Sequence, residues 1–297
     1  MRYITKIQKN ISRCPRLHSR KNTSNMLDGS YKSIYKGRSM NFDELREYAA
    51  GDDIKFVDWK ASSRSRKLLV RQFVAEKKHN IMFVLDTNRR MLADSKGLME
   101  KHELAIMGAG TMAYFVNQNG DDIGAVYSCG NRVNFEPFKT GLGHIEKILE
   151  DYHREVTPGN RSDINSALEY IIHNFRRKMI IIIVTDLQGA YRISETNLKR
   201  LLVANDIILL NVSDADIGES DMYDMESGSY IADFVLGKKM TDRAAANKAY
   251  IERQTDAKLR KYGIASVLLD DEDKLEEKLI DLIDRHKMEK MQNGINS

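Results

Sequence analysis

The sequence predicts an α/β protein with a mostly parallel central sheet and helices on both faces. Three observations predict it. Four apolar runs, 81–85, 179–185, 207–212 and 264–269, are continuous and strand-length, as strands buried on both faces are. Segments of helical periodicity separate them. Two of the runs end in an acid, Asp86 and Asp186, at the end of the strand where open α/β sheets bind ligands.

Each element follows from its own pattern. Ile4, Ile7 and Ile11 recur at helical spacing before Pro15, which predicts a short helix docked on the body. Residues 68–74 alternate as a strand, and 81–85 form the first central strand. Residues 97–117 read as a helix with Leu104, Met107, Gly108, Thr111, Met112 and Phe115 on one side; Gly108 and Gly110 would let it lie close on a sheet. Runs 123–127 and 133–137, joined through 129–131, carry a hairpin signal. A helix is expected over 144–154, and another over 163–178 with Ser162 as its N-cap. Strand 179–185, helix 194–205 and strand 207–212 come next, then an irregular segment over 214–240. A long polar helix over 243–262 ends at Gly263, a C-cap residue, before strand 264–269. Leu275, Leu279, Leu282, Ile283 and His286 mark a final amphipathic helix.

Bulk properties exclude several classes. The chain has 297 residues, 42% hydrophobic and 30% charged, with mean hydropathy −0.49, which describes a globular protein with a real core. No segment approaches the ~20 apolar residues of a membrane helix. No apolar leader opens the chain, and the two cysteines lack metal spacing, so a reducing cytoplasmic setting is expected. Net charge is +4, concentrated in Arg2, Lys6, Lys9, Arg13, Arg16, Arg20 and Lys21 ahead of the first acid, Asp28. Such an arm can meet nucleic acid, but a docked or solvated arm is the expectation. Phosphate-binding glycine loops and a Gly-x-Ser-x-Gly elbow are lacking, and the seven histidines form no His-x-x-x-His motif.

The densest chemistry lies in NFDELREYAAGDDIKFVDWKAS, residues 41–62. Phe42, Leu45, Tyr48, Ile54, Val57 and Trp59 stand among Asp43, Glu44, Arg46, Glu47, Asp52, Asp53, Asp58 and Lys60. Apolar anchors predict a segment folded onto something, and Gly51 sits where a turn needs a permissive backbone. The segment closely resembles the signature of a bacterial family called domain of unknown function 58. The match runs through Gly37, Phe42, Glu44, Leu45, Arg46, Glu47, Tyr48, Gly51, Asp52, Asp53, Asp58, Trp59, Ser62, Arg64, Val70, Arg71 and Phe73. Ser39, Val57 and Ser63 depart from it.

The resemblance implies a Rossmann-like von Willebrand factor A-type domain over 79–297. A signature segment over 31–78 would pack on it, behind a basic arm over 1–30. Longer relatives often carry membrane helices ahead of the signature; no such span is expected here. The A-domain motif places a metal on Asp-x-Ser-x-Ser, a Thr before a later helix, and an Asp after the central strand. The matching positions here are Asp86, Asn88 and Arg90, then Ser162, then Asp186. Asn88 can offer a carbonyl oxygen to Mg²⁺, but Arg90 has no acceptor and stays charged. The expectation is a degenerate site without bound metal, at most weak for Mg²⁺, with Arg90 paired to one of the acids. Arg90→Ser is expected to raise Mg²⁺ affinity. A partner's acid would dock on Arg89 or Arg90.

Asp58-Trp59-Lys60 with acids upstream admits a second reading, a metal-dependent nuclease or phosphohydrolase. The favoured alternative there is a structural network of Arg46, Asp52, Asp53, Asp58 and Arg64, with Trp59 and Phe42 buried. Trp59→Ala would then cost about 3–5 kcal/mol. The resulting expectation is a non-catalytic adaptor module. The resemblance supplies its partner, a MoxR-type AAA+ ATPase acting on client proteins; nucleic acid is the third and least supported class.

Overall fold

The computed structural model describes residues 2–13, 40–49, 51–75, 78–96, 99–130, 132–215, 222–224, 229–231 and 238–295. The expectations for Cys14, Pro15, Arg16, Arg20, Lys21, Asp28, Gly37 and Ser39, and for the side chains of Phe42, Glu44 and Phe73, lie outside the described residues. The chain divides into two compact units, Met1–Ser30 with His79–Ser297, and Tyr31–Lys78.

Helix α1 spans Arg2–Ile11 and buries Tyr3, Ile4 and Ile7, as its spacing predicts. The smaller unit comes next, with β1 (Met40–Glu47), α2 (Trp59–Ser65) and β2 (Leu69–Ala75). Its two strands pair antiparallel, with a bulge between Phe42 and Glu44. Gly51 has φ +106°, the left-handed conformation that the turn demands. Asp58 caps α2 by accepting from Ala61 N. Trp59 therefore occupies the first helical position, and it is 64% exposed, not buried as expected. Val57 and Val70, bridged across the unit, are the buried apolar residues among those described there.

The larger unit continues with β3 (Asn80–Leu85), α3 (Lys101–Gln118), β4 (Asp122–Cys129), β5 (Arg132–Lys139), α4 (Leu142–Glu155) and α5 (Ile164–Asn174). Then come β6 (Ile180–Asp186), α6 (Leu187–Arg192), α7 (Glu195–Leu202) and β7 (Asp206–Val212). A small pair, β8 (Met222–Asp224) and β9 (Ser229–Ile231), lies in the segment read as irregular. Helix α8 (Lys238–Lys261), β10 (Ala265–Leu269) and α9 (Leu275–Ile295) finish the unit.

The central sheet has the order β10-β7-β6-β3-β4-β5. Its first five strands are parallel, and β5 joins β4 antiparallel as the hairpin signal predicts. The four runs read as central strands all lie in it. Alternation sorts its side chains. Met82, Val84, Ile181, Ile183, Ile207 and Leu209 share one apolar cluster with α5, α7 and Leu259 of α8. Ile81, Phe83, Leu85, Ile182 and Leu210 point the other way and are equally buried, on the side that α3 covers. Each such side chain contributes about 1.5–3 kcal/mol of apolar transfer.

Two boundaries differ from expectation. The N-cap of α5 is Asp163, whose side chain accepts from Asn165 N, and not Ser162. That helix stops at Asn174, short of Lys178.

Candidate functional site

Strand order places the site. β3 pairs with β4 on one side and β6 on the other, and the chain direction of the sheet divides at β3 and β6. A crevice opens at such a switch point outside the carboxyl ends. Leu85 pairs with Val184, so Asp86 and Asp186 leave the sheet side by side. Both are buried.

The residues picked from sequence come together here. Arg90 lies between the two acids, with Nη2 3.0 Å from Asp86 Oδ2 and Nε 3.3 Å from Asp186 Oδ1. Asn88 caps the single turn Arg89–Leu92: its Oδ1 accepts from Arg90 N at 3.0 Å, and its Nδ2 donates to Ser162 O at 2.7 Å. Ser162 Oγ is 3.0 Å from Thr87 Oγ1. Arg89 is half-buried at the rim, its backbone N–H on Asn160 O at 2.8 Å.

Sequence reasoning missed the second cation. Lys101, in the first turn of α3 and 3% exposed, donates to Asp186 Oδ2 at 3.0 Å and also to Asp214. A lysine opening a helix that is apolar nearly all round has few routes to water, and that was its signal. Thr185 donates to Asp86 Oδ2 at 2.6 Å, Asn88 N to Asp86 Oδ1 at 3.0 Å, and Gly189 N to Asp186 Oδ1 at 2.7 Å. Tyr152 holds the backbone from below, donating to Asp86 O at 3.0 Å. Asp214 also lines a cleft of about 420 Å³ with Lys96, Lys248, Glu252 and Thr255.

Charge follows from this geometry. Burial would raise Asp186, but Lys101 and then Arg90 outweigh it and hold the carboxyl well below the usual carboxylate range. Burial pushes Asp86 up, against the pull of Arg90, and the charge of Asp186 adds to the rise. Burial would lower Lys101, yet Asp186 and Asp214 raise it above an ordinary lysine.

A divalent cation does not fit this arrangement. Every carboxylate oxygen of Asp86 and Asp186 already accepts from the protein, three of them from guanidinium or ammonium groups. The Asn88 carbonyl oxygen is taken by a backbone N–H. Arg90→Ser, expected to raise Mg²⁺ affinity, would leave Lys101 paired with Asp186. Docking of a partner's acid on Arg90 is corrected: its side chain is 7% exposed and its donors face two internal carboxylates.

The signature acids are also engaged. Asp52 pairs with Arg46 at 2.6 Å and accepts from Ala49 N at 2.9 Å. Asp53 pairs with Lys55 at 2.6 Å and caps the turn Ile54–Phe56. Asp58 caps α2 and accepts from Arg71 Nε at 2.9 Å, where Arg64 had been expected. Hydrogen bonds from Arg46, from Lys55 and from Ala61 N lead the causes that hold these three carboxyls low. Lys60 and Trp59 are exposed, and Tyr48 is half-buried.

An uncharacterized protein of Mycobacterium tuberculosis, Rv1480, is 24% identical over 240 residues, covering 77% of this chain and 75% of its own. The Mycobacterium bovis protein Mb1516 matches to the same extent. Among solved structures, BatB from Bacteroides thetaiotaomicron superposes with a TM-score of 0.45 at 16% identity, over 71% of this chain and 99% of that one. A von Willebrand factor type A protein from Catenulispora acidiphila gives 0.40 at 10% identity, over 86% and 52%. The family described as "Protein of unknown function DUF58" matches residues 44–255, and the chain belongs to that family.

Proposed function

We propose that this protein is a non-catalytic interaction module that binds a MoxR-type AAA+ ATPase and presents client proteins to it, in the cytoplasm. The exposure of Trp59 carries the reading. The chain's one tryptophan stands 64% exposed at the start of α2. Leu45, Ile54 and Leu68 of the same unit are also exposed, at 36%, 64% and 41%. Tryptophan is over-represented among residues that dominate binding energy, and an unburied one contributes little to folding. Asp52, Asp53 and Asp58 are each held in a structural pair, which favours this reading over a metal-dependent nuclease. The partner's identity comes from the family resemblance.

The test is capture of MoxR-type ATPases from the same organism by the full chain, with and without ATP. The expected result is a complex lost in Trp59→Ala, with the unfolding free energy of that variant changed by less than about 1 kcal/mol, far below the cost of removing a buried tryptophan. Absence of any complex, or Mg²⁺-dependent nuclease turnover abolished by Asp58→Ala, would overturn the reading.

A further inference from the structure

Beside the charged cluster, at the same end of the sheet, three further side chains meet where α3 begins and α4 ends. His102 and Glu103 lie in the first turn of α3, and His153 in the last turn of α4. One ligand atom from each lies within 4.8 Å of the other two. Glu103 Oε1 is 3.7 Å from His102 Nε2 and 3.5 Å from His153 Nδ1. The imidazole rings are tilted by 37°, with centroids 5.1 Å apart.

Two features separate this from an ordinary histidine–carboxylate contact. His153 Nδ1 is buried and makes no hydrogen bond, although a carboxylate oxygen stands 3.5 Å away. The two atoms therefore do not point at each other. Atoms that converge on a common point are what a metal requires, and ligands about 2.0–2.1 Å from a tetrahedral Zn²⁺ stand about 3.4 Å from one another. The other feature is a further buried orphan. Tyr3 of α1 is 4% exposed, and its hydroxyl has no partner. Its ring centroid lies 6.1 Å from that of His153, and after burial the charge of Glu103 is the largest influence that raises its hydroxyl.

The shell around the three residues suits an ion. Glu100 Oε2 is 3.1 Å from His102 Nδ1. That nitrogen, like His153 Nδ1, is buried and makes no hydrogen bond. Burial outweighs Glu100 and Glu103 and lowers His102, in the direction of the neutral form that ligates.

We propose that His102, His153 and Glu103 form a site for a zinc-class divalent cation, with a fourth coordination position left to solvent or a partner. Two imidazoles and one carboxylate favour Zn²⁺ or Co²⁺ over Mg²⁺, which prefers oxygen ligands. Such an ion would tie α3 to α4 beside α1.

The experiment is calorimetric titration of the chelator-treated full chain with ZnCl₂, and absorption spectroscopy with CoCl₂. The expected result is one saturable Zn²⁺ site per chain and the Co²⁺ absorption of a four-coordinate nitrogen–oxygen site. His153→Ala, at a half-exposed position, should weaken Zn²⁺ by more than the roughly 10–100-fold that loss of an outer-shell partner costs. Glu103→Gln gives a second ligand variant should His153→Ala fail to fold. No saturable Zn²⁺ site, or one whose affinity is unchanged in both His153→Ala and Glu103→Gln, would overturn the proposal.

Discussion

Gly189 has no room for a methyl group. A Cβ there would stand 1.9 Å from Thr185 Oγ1, 2.7 Å from Asp86 Oδ2 and 3.2 Å from Arg90 Nη2. All three belong to the charged cluster, so Gly189→Ala should cost about 1–3 kcal/mol or more by overpacking, read from denaturant unfolding. Lys101→Met tests the cluster from the other side. It removes one of two cations from Asp186 and the partner of Asp214, and should cost about 3–5 kcal/mol, as breaking a buried pair does. Asp86, Asp186 and Arg90 were legible because each follows directly on an apolar run or a motif position. Lys101 and Gly189 were not. Their roles depend on which elements meet across the sheet, and nothing local to either residue reports that.

Helix α3 shows how one element serves several surfaces. Residues two apart on a helix face nearly opposite ways. At Gly108 a Cβ would meet Leu269 of β10 at 2.4 Å, so that glycine does let α3 lie close on the sheet. At Gly110 a Cβ would meet Ile7 of α1 at 2.4 Å and Leu149 of α4 at 2.9 Å, so the second glycine serves the outer helices instead. α1 is held there by its backbone as well. Glu146 of α4, 4% exposed, accepts from Tyr3 N at 2.9 Å and Ile4 N at 2.8 Å, satisfying amides that open a helix. Glu146→Ala should cost about 1.5–3 kcal/mol, the range for a charged hydrogen bond, and should make α1 the first site of proteolysis. Long periodic elements were readable. Helix α6 was not, because six residues are too few to show a period and Asp186 serves both as strand end and as its N-cap. In the signature, charges interleaved with apolar residues hid β1 and α2.

At the scale of the whole molecule, strand order puts two acids at the switch point, and the chain supplies its own cations to them. The pH dependence of stability follows. Asp186 is depressed in the folded state, so its contribution is full above the unfolded aspartate value of about 3.9 and is lost as pH falls through its folded value. Lys101 is raised, so its contribution is full below about 10.4 and is lost as pH rises through its folded value. Asp86 is raised, so it works the other way, its contribution falling as pH rises from about 3.9 through its folded value, and the plateau in urea melts should lie above that value and below the alkaline limit. Because Lys101 is the strongest opponent of burial at Asp186, Lys101→Met should move the acid limb to higher pH; an unmoved limb would contradict the assignment. The most direct measurement is calorimetric titration with Mg²⁺ of the wild type, Arg90→Ser, and the Arg90→Ser/Lys101→Met double variant. Internal cations in the metal's place predict no saturable Mg²⁺ site in the wild type or in Arg90→Ser, and a gain only in the double variant. Tight Mg²⁺ binding by the wild type that disappears in Asp86→Asn would contradict it.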